Sequence, residues 1–486
     1  MTSVTRALVI SLIERYLLIA IALSANIILA RLLSPEQIGA YSVGIAIIGI
    51  AQVVRDFGVG SFLIQESRLT EDHIRTAFGI SLMTGGILFL AVLGAADWIG
   101  RLYEQPGISE ILRIVSLNFL VLPFCTISLA LLRRDMQFRR LLYVNISAAI
   151  LGFIITISLA YAGLGAKAMA IGSVATNAAT GFGAWLTRQE HRVFSPSLRQ
   201  WRTLLGFGTQ TSIAGIVTSI SIDINDLVIG KVIGLAPVAI ISRAQGIANI
   251  FHRDIMGAIR NVALPAFAAA HRRGEPVERH YVLGVASVTA FAWPFYGFSG
   301  LFAIELLRLL FGPQWDAAAP LVPLFCIAGA IAATSNLITS AILAVGRVDL
   351  LTFSEVAFQP LRALLVIAAA ITTGSLWACA AAYLAAFALY TPFIYIIKQR
   401  CIPSDYRSLR QALLASAYVS AAALAGPLII AVYAGLLRGE PTSIQSLGIA
   451  AITCILGWLV ALPIFKHPLL GSPLFAHIIP RRLRAN

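Results

Sequence analysis

Long apolar runs alternate with short polar interruptions along the whole chain. The runs fall near 8–31, 38–62, 77–97, 109–132, 142–162, 166–186, 206–232, 237–253, 281–304, 317–344, 353–373, 376–397, 410–436 and 443–465. A helix that crosses a bilayer needs roughly 20 such residues, so the pattern predicts about fourteen transmembrane helices. The short alternating segments of a membrane β-barrel are absent from the sequence. The predicted fold class is therefore all-α, a polytopic integral membrane protein. The first run, MTSVTRALVISLIERYLLIAIALSANIILA, is too long for a signal peptide's apolar core and holds Glu14 and Arg15. It reads as a retained span.

Composition agrees with this pattern. The 486 residues are 58% hydrophobic and 12% charged, with a mean hydropathy of +0.85; soluble domains carry about twice that charge fraction. The net charge of +14 would suit a nucleic-acid binder, but its placement argues otherwise. One set of loops holds Arg68 and Arg75, RRDMQFRR (133–140), RQEHRVFSPSLRQWR (188–202), the stretch from Arg253 to Arg279, KQRCIPSDYRSLR (398–410), and Arg481, Arg482 and Arg484 in the tail. The alternate set holds Arg31, Arg101, Lys167, Arg308, Arg438 and little else. This is the positive-inside bias, which puts both termini in the cytoplasm and turns the basic residues toward anionic lipid rather than nucleic acid.

Other chemistry is sparse. Cys125, Cys326, Cys379, Cys401 and Cys454 are scattered and form no pair motif, so they read as small apolar filler. All seven histidines (His73, His191, His252, His271, His280, His467, His477) fall in or beside the basic loops, which does not support a buried metal site or proton relay. No GxxxxGK[ST] loop is present, so no ATP engine is built in. No cofactor and no metal are expected.

An internal echo organises the chain. RLLSPEQIGAYSVGIAI begins at Arg31 and KVIGLAPVAIISRAQGI at Lys231; RLYEQPGISEILRIVSL (101–117) likewise echoes RLLFGPQWDAAAPLVPL (308–324). Each echo compares the same place in two halves. With an even number of spans per half, the repeat is parallel, about an axis along the membrane normal. The expected organisation is 1–200 for spans 1–6, 201–400 for spans 7–12, and 401–486 for two appended spans and a tail. RLLSPEQIG is then the outward hairpin between spans 1 and 2, with Pro35 starting the turn back.

Charged and polar side chains inside spans are costly and mark candidate sites. Span 1 carries Glu14, Arg15 and Asn26; span 2 carries Gln52, Arg55 and Asp56; span 7 carries Asp223 and Asp226, one turn apart. Span 8 holds Arg243, and span 11 holds Glu355, Gln359 and Arg362 at i, i+4 and i+7, with Pro360 expected to kink the helix. Lipid-facing placement is excluded on energy. Two readings stay open: interhelical pairing such as Asp226 with Arg243, or the lining of a central aqueous cavity. In the second, Arg15, Asn26, Arg55, Arg243, Gln359 and Arg362 are the substrate-binding candidates. Glu14, Asp56, Asp223, Asp226 and Glu355 are the ion-coupling candidates.

The segments ARLLSPEQIGAYSV (30–43), RDFGVGSFLIQ (55–65), LLRRDMQFRR (131–140), DLVIGKVIG (226–234) and LLRLLFGPQWDAAAPLVPL (306–324) together resemble the polysaccharide transporter family. That family contains the Wzx-type flippases and belongs to the multidrug/oligosaccharidyl-lipid/polysaccharide exporter superfamily. The resemblance implies two six-helix lobes around a central cavity, alternating access, and an undecaprenyl-pyrophosphate-linked glycan as substrate. Arg15, Arg55 and Arg243 would then meet the pyrophosphate, with H⁺ or Na⁺ as coupling ion. Membrane lipids, a polysaccharide polymerase and export machinery would be the partners. One departure is IISRAQGI, where members often carry Gly and Tyr before the Ala. Two alternatives stand beside this reading: a multidrug-type exporter on the same fold, disfavoured by Arg15 and Arg55, and a polytopic glycan polymerase or ligase, disfavoured by the short outward loops.

Overall fold

The computed structural model describes residues 3–56, 58–66, 68–187, 195–433 and 443–471. The chain forms two compact units, Met1–Ala239 and Ile240–Asn486. Every regular element among the described residues is helical. In the first unit these are α1 (Ser3–Leu32), α2 (Pro35–Asp56), α3 (Val59–Gln65), α4 (Glu71–Leu102), α5 (Pro106–Ser116), α6 (Asn118–Arg134), α7 (Phe138–Tyr161), α8 (Ala166–Thr187) and α9 (Trp201–Val232). Helix α10 (Leu235–Asn249) leads into the second unit through a π-helical stretch, Ile250–Ile255. There follow α11 (Met256–Arg272), α12 (Val277–Leu301), α13 (Ala303–Leu310), a 3₁₀ segment (Pro313–Leu321), α14 (Val322–Ala333), α15 (Ile338–Ala344), α16 (Val348–Thr373), α17 (Leu376–Gln399), α18 (Tyr406–Tyr433) and α19 (Ile444–Ile464).

Eleven helical segments among the described residues are long and apolar enough to cross a membrane. The other three expected spans are the small-residue helix α8, the acid-bearing α9 and the 15-residue α10. The outer faces are apolar: Ile449, Ile452, Ile455, Leu456 and Val460 of α19 are all exposed. Such a stripe is stable against lipid, whereas in water each side chain would forgo about 1.5–3 kcal/mol of burial. The inner contacts use small residues. On α7 and α8, Gly152 faces Thr176 and Gly172 faces Thr156. Each threonine hydroxyl donates within its own helix, to the carbonyls of Gly172 and Gly152 at 2.8 and 2.7 Å. The backbones can therefore approach closely with no polar group left exposed to lipid.

The RLLSPEQ stretch is a helix start. The Ser34 hydroxyl accepts from the Gln37 amide at 3.3 Å, and the Gln37 side chain accepts from the Ser34 amide at 3.0 Å. This reciprocal capping box, with Pro35 in the first turn, ends α1 and launches α2. The echo keeps its register: α1 ends at Leu32 and α2 starts at Pro35, while α9 ends at Val232 and α10 starts at Leu235. In the second echo Pro106 and Pro313 each open a helical segment.

Several spans are broken rather than continuous. Gly58, at φ 70°, separates α2 from α3; this left-handed conformation is cheap only for glycine. Span 8 continues through the π-helical stretch, and Pro294 and Pro360 lie inside α12 and α16.

Candidate functional site

In the first unit the two charged candidates near the start of span 1 share a cavity. Glu14 and Arg15 on α1, Arg133 at the end of α6 and Asn145 on α7 line a space of about 480 Å³. Asn145 donates to the Glu14 carboxylate at 2.6 Å. Arg15 is exposed, and so is Asn26 three turns further along α1. Arg55 is 6% exposed and stands one residue before the end of α2, close to the left-handed Gly58 that precedes α3. Its charge reaches Cys125 on α6. The side chain of Asp56 lies outside the described residues.

Helix α9 brings two acids to α2. Asp223 accepts from the Ser219 hydroxyl at 3.2 Å, and its carboxylate lies over Gly49. Asp226, one turn on, is half-buried and feels the Asp223 charge. Just beyond, α9 is tied to α4: the Tyr103 hydroxyl donates to the Leu227 carbonyl at 2.9 Å, and Lys231 donates to the Leu102 carbonyl at 2.6 Å and pairs with Glu104 at 3.6 Å. Asp223 and Asp226 thus sit where α9 closes on α2, next to a polar clasp at the hairpin end.

In the second unit Arg243 of α10 is 7% exposed. Its guanidinium lies over the rings of Phe311 and Trp315, 5.0 and 4.9 Å from their centroids. Arginine's flat, weakly hydrated cation suits that aromatic slot. On α16, Gln359 donates to the Glu355 carboxylate at 2.7 Å, while Gln359 Oε1 and Arg362 Nε are buried with no hydrogen-bond partner among the described residues. Arg362 lies over the Tyr383 ring of α17, 5.9 Å from its centroid.

Sequence reasoning missed the polar cluster beside Arg362. Gln245 donates to the Tyr383 hydroxyl at 3.0 Å, and Arg260 donates to Asn336 Oδ1 at 2.6 Å. His252, read from sequence as lying in or beside a basic loop at the end of span 8, packs on the π-helical stretch against Asn336 and Phe387. Gln245, Asn249 and His252 follow one another at i, i+4 and i+7, a stripe as regular as the one on span 11. That spacing was the available signal; Asn336 and Tyr383 come from distant segments and give none, and Arg260 stands two turns beyond His252 on α11.

A family model described as "Polysaccharide biosynthesis protein" matches residues 28–320. The chain belongs to this family. Among curated members of similar sequence, it is 24% identical over 348 residues to lipopolysaccharide biosynthesis protein WzxC of Escherichia coli (strain K12), covering 70% of each chain. It is 26% identical over 337 residues to teichuronic acid biosynthesis protein TuaB of Bacillus subtilis (strain 168), covering 68% of this chain and 69% of that one. Solved structures place this polysaccharide biosynthesis protein in a known fold. The lipid II flippase MurJ in its inward closed conformation superposes with a TM-score of 0.75 at 12% identity, over 95% of this chain and 99% of that chain. An inward-facing multidrug resistance MATE family transporter of the MOP superfamily superposes with a TM-score of 0.62 at 16% identity, over 81% and 97%. At these identities the likeness is one of fold, and it makes the chain a multi-pass, all-α membrane protein of that architecture.

Proposed function

We propose that this protein is a flippase that carries an undecaprenyl-pyrophosphate-linked oligosaccharide from the cytoplasmic to the periplasmic leaflet of the inner membrane, for surface polysaccharide or lipopolysaccharide biosynthesis. The observation that carries the reading is the match of residues 28–320 to the polysaccharide biosynthesis family, in a membrane protein that buries Arg55 in its first unit and Arg243 in its second. Guanidinium groups bind the phosphate oxygens of a pyrophosphate in a two-point geometry. The names of WzxC, TuaB and the succinoglycan biosynthesis transport protein ExoT of Rhizobium meliloti (strain 1021) point the same way.

In this reading Arg15, Asn26, Arg55, Arg243, Gln359 and Arg362 serve the headgroup and sugar. Glu14, Asp56, Asp223, Asp226 and Glu355 are the candidates for coupling to H⁺ or Na⁺. Spans 1–6 (residues 1–200) rock against spans 7–12 (201–400), bending at the interrupted spans 2, 8, 9 and 11. The positive-inside bias puts both termini in the cytoplasm. The protein acts as a transporter and not as an enzyme, with polymerase and export machinery downstream.

The test is to delete the gene and follow lipid-linked glycan with a membrane-impermeant probe on inverted and right-side-out vesicles. Accumulation on the cytoplasmic leaflet with loss of surface polysaccharide supports the flippase. Normal arrival at the periplasmic leaflet overturns it in favour of drug export, or of a polymerase if unpolymerised units collect there.

A further inference from the structure

Within the second unit, His252 stands at the edge of a small, partly open chamber of about 10 Å³ whose polar lining is Gln245, Asn249 and Tyr383 among alanine and phenylalanine side chains. That is room for about one water molecule with several polar neighbours. The Tyr296 hydroxyl, which a side chain at the chamber-lining Gly329 would strike, is buried without a partner among the described residues.

The hydrogen bonds around His252 have a fixed direction. Arg260 is a donor only, so its 2.6 Å contact identifies Asn336 Oδ1 as the acceptor and turns the amide so that Nδ2 points the other way. Nδ2 faces His252 Nδ1 at 3.5 Å. An NH₂ group can only donate, so Nδ1 must be the unprotonated nitrogen. An imidazolium would set N–H against N–H. Arg260 thus holds His252 in its neutral, Nε2–H form through the Asn336 amide.

The other charges around His252 act in the same direction. Arg362 of α16 reaches it as Arg260 does, and Glu355 of α16 bears on Arg362. Tyr383, Tyr296 and Cys326 are the remaining titratable groups at the chamber. On its own turn, Arg253 and Asp254 pair with each other at 3.1 Å.

We propose that His252 is a proton-binding site controlled by Arg260 through Asn336. An anionic phosphate group drawn onto Arg260 releases the amide, Asn336 turns its oxygen toward Nδ1, and His252 takes a proton from solvent. No covalent bond changes; one proton enters as one anion binds, and by linkage protonation favours anion binding to the same extent. This rests on the pyrophosphate-linked substrate proposed above, and it gives H⁺ a site outside the carboxylates.

The test uses the full-length protein in lipid nanodiscs with ¹⁵N-labelled histidine, His252→Gln to assign the signal, and geranyl pyrophosphate as the probe. Without probe at neutral pH, His252 should be neutral with its proton on Nε2. With saturating probe both ring nitrogens should be protonated, with uptake of about one proton per protein. Asn336→Leu keeps every charge, so it should bind the probe yet lose the Nε2–H preference and most of the uptake. Asn336→Asp, which keeps the shape, should hold His252 doubly protonated before probe is added. A proton on Nδ1 in the free protein, or unchanged uptake in Asn336→Leu, overturns the proposal. If the probe does not bind at all, the pyrophosphate reading and the anion link both fall. The resting tautomer still decides the Arg260–Asn336–His252 arrangement by itself.

Discussion

Gly49 on α2 leaves the space that the Asp223 carboxylate of α9 fills: a Cβ at position 49 would lie 2.7 Å from Asp223 Oδ2. Gly49→Ala should therefore push the carboxylate off its seat. We expect a loss of about 1–3 kcal/mol in stability, as for other overpacked sites, together with several-fold lower restoration of surface polysaccharide in a deletion strain. Thermal unfolding in detergent reads the first and complementation the second. In Gly49→Ala/Asp223→Ala the stability loss should largely disappear, since residues in contact are not additive. Additive losses would mean that the two positions act independently.

Arg55 and Asp226 are the first tests of the transport site. Arg55→Ala and Asp226→Ala should each reduce transport by about tenfold or more, because each removes a charge held inside the bundle. Both variants should reach the membrane in normal amount, measured by quantifying protein in the membrane fraction. Full-rate transport in both would remove the cavity assignment.

What the sequence made legible follows from local physics. The apolar runs located the helices, and the echo between the segments at Arg31 and Lys231 put the hairpins at 32–35 and 232–235 in register; the Ser34–Gln37 capping box that starts α2 was read only as a turn at Pro35. The breaks were harder to see. Gly58 follows Arg55 and Asp56 inside span 2, and the π-helical stretch IFHRDI closes span 8, so the sequence shows polar residues at both places but nothing that says the helix breaks or widens there. Pairings across long stretches of chain were invisible. Arg243 was read as a partner of Asp226 or a cavity cation, and nothing in the sequence pointed to Phe311 and Trp315 as its aromatic slot. Lys398 and Glu278 meet across 120 residues.

That last pair should behave as a buried ion pair. Lys398 is completely buried, bonded to Glu278, with its ammonium 4.3 Å from the centre of the Tyr281 ring. The other Glu278 oxygen accepts from the Asp405 amide at 3.0 Å. Lys398→Met strands the carboxylate and should cost about 3–5 kcal/mol. Lys398→Met/Glu278→Gln should recover much of this, because the uncompensated charge is gone. Equal losses in the single and double variants, measured by thermal unfolding, would show that the pair is not coupled.

His467 gives the second unit a dependence on pH. It lies beyond the end of α19 and is 1% exposed. Its Nδ1 accepts from the Leu469 amide at 3.1 Å, so Nε2 carries the proton and donates to the Ser416 hydroxyl at 3.0 Å. The Thr289 hydroxyl donates to the same Ser416 oxygen at 2.8 Å. Both ring nitrogens are thus committed in the neutral form, and burial pushes the imidazole down to about 4. The unfolded chain protonates this residue near pH 6.5, and the folded chain does not until about pH 4. The contribution is therefore complete above pH 6.5 and is lost as pH falls from there toward 4. Across that window the thermal midpoint should drop by an amount equivalent to roughly 3 kcal/mol. His467→Gln cannot titrate, so its midpoint should start lower at pH 7.5 and then fall less steeply over the same range. A His467→Gln profile parallel to the wild type would assign the acid sensitivity to other groups.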